Sequence, residues 1–100
     1  MKYYNGENFD EIVKEGIILV DFYADWCGPC KMLGNVLEEV KNDINILKVN
    51  IDKYPELANK FGVMSIPHLV FFKDGREANF STGLISKSTL LELIEEVKNI

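Results

Sequence analysis

Cys27 and Cys30, separated by Gly28-Pro29, are the only cysteines in the chain, and their setting constrains the fold more than any other feature. Before them runs Ile17-Ile18-Leu19-Val20-Asp21-Phe22-Tyr23, apolar on both alternating faces, as a strand covered by helices on both sides must be. After them Met32, Leu33, Val36, Leu37 and Val40 recur at helical spacing, which predicts a helix to about Lys41. The pair therefore stands where a buried strand stops and a helix begins. The first N–H groups of a helix have no partner within it, and that end carries partial positive charge. A sulfur placed there is stabilised as thiolate, with a pKa lowered to about 3.5–7.5 in such settings. Pro29 suits the first turn, where its missing N–H costs nothing.

The rest of the chain supplies elements around this junction. Lys2 to Asn5 reads as a short edge strand. Asn8 caps a brief helix in which Phe9, Ile12 and Val13 share a face and which Gly16 ends. Asn45 to Ile51 gives a second strand. Pro55 opens a helix with Leu57, Ala58 and Phe61 turned inward and Gly62 as its stop. Leu69 to Phe72 is a third strand, and Asp74-Gly75 is a hairpin signal leading into Arg76 to Ser81. Ser86 or Ser88 caps a last amphipathic helix with Leu90, Leu91, Ile94 and Val97 on its buried face. Strand–helix alternation that ends in a hairpin and a helix predicts an α/β fold, a mixed β-sheet flanked by helices on both faces. Right-handed crossovers place the cysteine-bearing helix over one of those faces. At 100 residues, the chain is expected to form one domain, 1–100.

Composition narrows the function. A net charge of −5 with no basic cluster argues against nucleic acid as a partner. No apolar run approaches membrane-spanning length, and Met1 to Gly6 lacks a signal-type apolar stretch, so a cytoplasmic protein without a membrane partner is expected. Two cysteines cannot build a disulfide scaffold; their tight spacing points to redox or metal chemistry. Zinc usually takes four ligands, and only His68 could join the cysteines, so redox is preferred and no metal or bound cofactor is expected. Disulfide reduction needs one thiol to attack and a second to expel the mixed disulfide, roles given to Cys27 and Cys30. Asp21 lies in the most apolar strand, six residues before Cys27. An aspartate so placed is either an edge residue or a buried one, and the flanking Leu19, Val20 and Phe22 favour burial. Burial raises its pKa, and a carboxyl near neutrality can take or return the Cys30 proton. Ile66-Pro67 marks a strand start or a bend, since proline cannot sit inside a ladder.

Trp26-Cys27-Gly28-Pro29-Cys30-Lys31 resembles the active site of the thioredoxin family. Val20-Asp21-Phe22, Lys48 to Asp52, Ile66-Pro67 and Gly83 extend the resemblance, in the family's order, over essentially the whole chain. The resemblance implies the thioredoxin fold and a protein-disulfide reductase, an electron carrier cycling between dithiol and disulfide in cell redox homeostasis. It implies Asp21 as the proton-handling carboxyl with Lys48 nearby, although a surface lysine on a strand fits Lys48 as well. It implies a cis bond before Pro67, where residue type alone favours trans. It also implies a shallow peptide groove from Trp26, Gly28, Pro29, Ile66, Pro67 and Gly83. The implied partners are a thioredoxin reductase and oxidised proteins, with the chain expected as a monomer.

Two positions depart from the family pattern. Gly34-Asn35 stands where a helix proline is usual, and His68 where threonine is usual. By strand alternation His68 should point away from Pro67 and the sulfurs, as a packed or surface residue. Two rival functions remain open. One is a binding module of the same fold that docks a single partner. The other is a dithiol oxidant or isomerase, against which the Gly-Pro pair between the cysteines counts.

Overall fold

The computed structural model describes all residues from Met1 to Ile100. Its elements are β1 (Lys2–Tyr3), α1 (Phe9–Ile12), β2 (Ile17–Tyr23), α2 (Gly28–Val40), β3 (Asn45–Asn50), α3 (Pro55–Lys60), β4 (His68–Lys73), β5 (Arg76–Thr82) and α4 (Lys87–Lys98). All five strands join one sheet in the order β1-β3-β2-β4-β5. β2 runs parallel to β3 and antiparallel to β4, β1 is parallel to β3, and β4 and β5 form an antiparallel pair. The sheet is mixed, and its centre is the strand with the continuous apolar run, because only a strand paired on both edges and covered on both faces hides every side chain.

Strand alternation divides the core in two. Leu19, Leu69 and Phe71 face Leu33, Leu37 and Val40 of α2 and Leu90, Ile94 and Val97 of α4. Ile18, Val20, Phe22, Val70 and Phe72 face the other way, against Phe9 of α1 and Ala58 of α3. The second layer is rich in rings: Phe9, Phe61 and Phe72 meet one another with centroids 5.2–5.5 Å apart.

The local stops mostly follow the sequence. Asn8 Oδ1 accepts from the Glu11 N–H at 3.2 Å, and Ser86, not Ser88, caps α4 by accepting from the Thr89 N–H at 3.2 Å. Asp74 and Gly75 both have positive φ, 50° and 86°, which matches the twist of the β4–β5 hairpin. Two expectations need correction. α1 ends at Ile12 with Val13 as its cap, well before Gly16. Both Gly16 backbone groups are taken by Asp74, whose N–H donates to Gly16 O at 2.9 Å and whose Oδ1 accepts from the Gly16 N–H at 2.9 Å. Gly16 therefore belongs to the turn into β2. Leu91 is exposed, while Leu93 lies partly buried against the core, because the face set by Leu90, Ile94 and Val97 falls on that side of α4. α2 runs unbroken through Gly34-Asn35.

Candidate active site

Cys27 is the N-cap residue of α2, in extended conformation, and its Sγ accepts a hydrogen bond from the Cys30 N–H at 3.2 Å. The two residues are joined as a disulfide, with Cα atoms 5.2 Å apart. Both are buried against Ala24, with Tyr23, Ile51 and Ile66 packed alongside. No acidic residue stands in the first turn of α2, so nothing there opposes negative charge on the Cys27 sulfur. The chain is in its oxidised form, and the geometry favours thiolate at Cys27 once that bond opens.

On the α2 face of the sheet, with Leu19 two residues before it, lies Asp21. It is 0% exposed, and neither carboxylate oxygen has a hydrogen-bond partner. Lys48, its register partner on β3, places Nζ 3.7 Å from Asp21 Oδ2, beyond hydrogen-bond length. Burial pushes the Asp21 carboxyl up to about 6, with the Lys48 charge opposing. Lys48 itself is 8% exposed, so the alternative of a surface lysine falls. Its Nζ reaches the flank of α2 at Gly34, one turn after Cys30 on the same helix face. Asp21 thus sits beneath the helix that carries the dithiol. A buried carboxyl without a hydrogen bond can exchange a proton near neutral pH.

The peptide-groove candidates come together in part. The Ile66-Pro67 bond is cis. Ile66 packs against the disulfide cluster, and its N–H and C=O make no hydrogen bond within the chain. The Gly83 N–H donates to Pro67 O at 2.8 Å, which ties Gly83 to the bend; its φ of 91° lies in the left-handed region open to glycine. Gly28 and Pro29 are exposed beside the buried cysteines. Trp26 is 70% exposed, and its Nε1–H donates to Asp52 Oδ2 at 2.9 Å. A surface hollow lined in part by Met1, Lys2, Ile12, Ile18 and Leu47 lies toward the other end of β2 from the sulfurs.

His68 is buried on the opposite face, as strand alternation predicts. Its Nδ1 is 2.9 Å from Thr82 Oγ1, and its ring lies between Phe22 and Phe80 at 6.4 and 5.8 Å. Desolvation lowers its pKa, against a smaller opposing effect of Glu77.

Sequence reasoning missed the polar network that fixes Trp26. Asn50 Oδ1 accepts from the Asp52 N–H at 2.9 Å, and Asn50 Nδ2 donates to Asp25 Oδ2 at 3.4 Å. A polar cluster at a strand end looks like any solvated turn until the indole is seen against it. Met64 is 95% exposed two residues before Ile66, and nothing in the sequence pattern sets it apart. The sequence pattern marks Tyr3 and Tyr23 only as strand residues; in the fold their rings flank the Lys48 ammonium. No group of three or more His, Cys, Asp or Glu side chains is gathered as a metal site.

A family model described as thioredoxin matches residues 1–96. Among curated proteins, a thioredoxin of Staphylococcus saprophyticus is 50% identical over 93 residues, covering 89% of this chain and 89% of the relative. A thioredoxin of Chlamydia caviae is 46% identical over 99 residues, 96% of this chain and 97% of the relative. Among solved structures, a mutant thioredoxin from Halobacterium salinarum superposes with a TM-score of 0.89 and 37% identity, covering 96% of this chain and 88% of that one.

Proposed function

The chain belongs to the thioredoxin family and is a thiol–disulfide oxidoreductase, and on that premise we propose how its residues divide the work. In the reduced protein, Cys27 thiolate attacks one sulfur of a target disulfide. That S–S bond breaks, the other target sulfur leaves as thiolate, and Cys27 is joined to the target. Cys30 then gives its proton to the Asp21 carboxylate and attacks the Cys27 sulfur. The mixed disulfide opens, the second target thiolate leaves, and the Cys27–Cys30 bond forms. Two electrons have moved to the target, and Asp21 returns its proton to solvent or product.

The observation that carries this division is the Cys27 sulfur capping α2, with an unbonded carboxyl buried beneath the same helix. The substrate groove of Trp26, Gly28, Pro29, Ile66, Pro67 and Gly83 is supported by the exposed indole and by the unpaired Ile66 backbone beside the disulfide. An extended segment of an oxidised protein suits this open rim better than a small molecule does. Lys48 supports Asp21. Electrons return from a thioredoxin reductase in a cytoplasmic setting, residues 1–100 act as one monomeric domain, and the sulfurs work without a bound cofactor or metal. No helix is long and apolar enough to cross a membrane.

Trapping tests the assignment. Cys30→Ser removes the resolving thiol, so disulfide-linked adducts through Cys27 accumulate with oxidised protein substrates on non-reducing gels. Cys27→Ser traps almost nothing. Equal trapping by both variants reverses the roles, and trapping by neither favours a docking module.

A further inference from the structure

Lys48 has four neighbours drawn from three other elements. Its Nζ lies 4.6 Å from the centroid of the Tyr23 ring and 5.7 Å from that of Tyr3, and the two rings meet edge to face at 6.2 Å. On another side is Gly34 of α2, where a Cβ would stand 3.5 Å from Nζ. The last neighbour is the Asp21 carboxylate. Sheet register explains the convergence: Lys48 pairs with Tyr3 across β1–β3 and with Asp21 across β2–β3. Tyr23 projects to the same face as Asp21, two residues on.

We infer that Tyr23, aided by Tyr3, is a positioning residue that holds the Lys48 ammonium against the Asp21 carboxylate. A lysine ammonium is strongly hydrated and rides on a flexible four-carbon stem, so at 3.7 Å from its partner the carboxylate alone is a weak tether. A ring face within about 6 Å attracts a cation, most strongly where water is scarce. The rings keep Nζ inside the layer, where its charge acts on Asp21 through little solvent. Gly34 leaves the space on the helix side. The Tyr23 phenol is held above its ordinary value, first by burial and then by Asp25 and Tyr3, so the ring stays neutral. The other ionisable groups around the pair are Glu38 of α2, Asp25 after β2, and Tyr3 of β1; Cys30 is held in the disulfide. The consequence for turnover rests on the proposed role of Asp21. The ionisation midpoint of Asp21 does not, because carbon NMR reads it without any turnover.

The experiment titrates the Asp21 carboxyl carbon in the full chain, in the oxidised form so that the thiols stay silent. Tyr23→Leu keeps apolar bulk but removes the ring face; Lys48 then swings outward, and the Asp21 midpoint rises by about half a pH unit. Tyr3→Leu raises it by less, since that ring is farther away. Tyr23→Phe keeps the ring and stays with wild type. In a Lys48→Met background, Tyr23→Leu moves the midpoint no further, because the ring acts through the ammonium. An unchanged midpoint in Tyr23→Leu, equal shifts in the Leu and Phe variants, or the same Tyr23→Leu shift without Lys48 each overturns the inference. Midpoints that move as expected while mixed-disulfide release keeps its wild-type pH profile sustain it, and remove Asp21 from the proton transfer instead.

Discussion

On the α2/α4 face of the sheet the buried acid–base group is Asp21, beside Lys48; on the α1/α3 face it is His68. The two sit one strand apart, since β2 pairs with β4, yet their surroundings differ in kind. His68 has Thr82 for its Nδ1 and aromatic rings on either side. Asp21 has apolar neighbours, an ammonium at 3.7 Å and no hydrogen bond at all. A satisfied polar group stabilises a fold and fixes a register. An unsatisfied one costs stability and holds a proton that can be moved. The face that carries the dithiol is the face that tolerates the unsatisfied group, a local cost associated with function.

The contrast predicts opposite pH dependence. Burial raises the Asp21 pKa in the folded state to about 6 from its ordinary 3.8, so the folded state holds this proton more tightly than the unfolded state. Its contribution is fully present below about pH 4 and is lost as pH rises through about 6. Asp21→Asn removes the titration and keeps the shape. The variant therefore gains on wild type by about 2 kcal/mol between about pH 4 and about pH 8, read by urea melts of the oxidised forms. A flat difference would mean that Asp21 is solvated and that the two faces are alike. The same substitution lengthens the life of the mixed disulfide, because Cys30 loses its proton acceptor.

His68 runs the other way. Its folded pKa lies below the ordinary 6.5, so the unfolded state binds the proton more readily, and wild type loses stability as pH falls through that range. His68→Gln disturbs the Thr82 contact, costs about 1 kcal/mol at neutral pH, and loses less than wild type on acidification. Reductase activity per folded molecule stays at the wild-type level. A loss of activity with retained stability would move His68 into the site and dissolve the contrast.

The smallest effect sharpens the comparison within the reactive face. Gly34→Ala should stabilise by roughly 0.5–1 kcal/mol through helix propensity. The added Cβ meets Lys48 Nζ at 3.5 Å, an ordinary contact, and α2 runs unbroken there. A destabilised variant in a urea melt would mean that the layer between α2 and Lys48 has no room even for a methyl group.

Much of this was legible in advance where the signal is local. The apolar run of β2 declared a doubly covered central strand, because burial on both faces leaves no position for alternation. Asn8, Asp74-Gly75 and Gly62 marked their stops through capping and positive φ, properties of one or two residues. Gly16 misled because a glycine after an apolar pattern reads as a helix stop, whereas its backbone is claimed by Asp74 from the far hairpin. Leu91 misled because a periodicity tolerates either flank of a face until the packing partner is known.

By itself the sequence determined the dithiol at a strand-to-helix junction, the burial of Asp21, the mixed sheet with helices on both faces, and the orientation of His68. These follow from spacing, since a period of two or of about 3.6 decides which way a side chain points. The tertiary structure alone decided what each buried group meets. Lys48 became the partner of Asp21 through the β2–β3 register, and Tyr3 joined it only because β1 pairs with β3. Trp26 was fixed by Asp52, and Ile66 was brought to the disulfide by the fold of the β4 approach. Strand register and helix docking are set by contacts between residues far apart in the chain, so the chemistry that depends on them has no local signature.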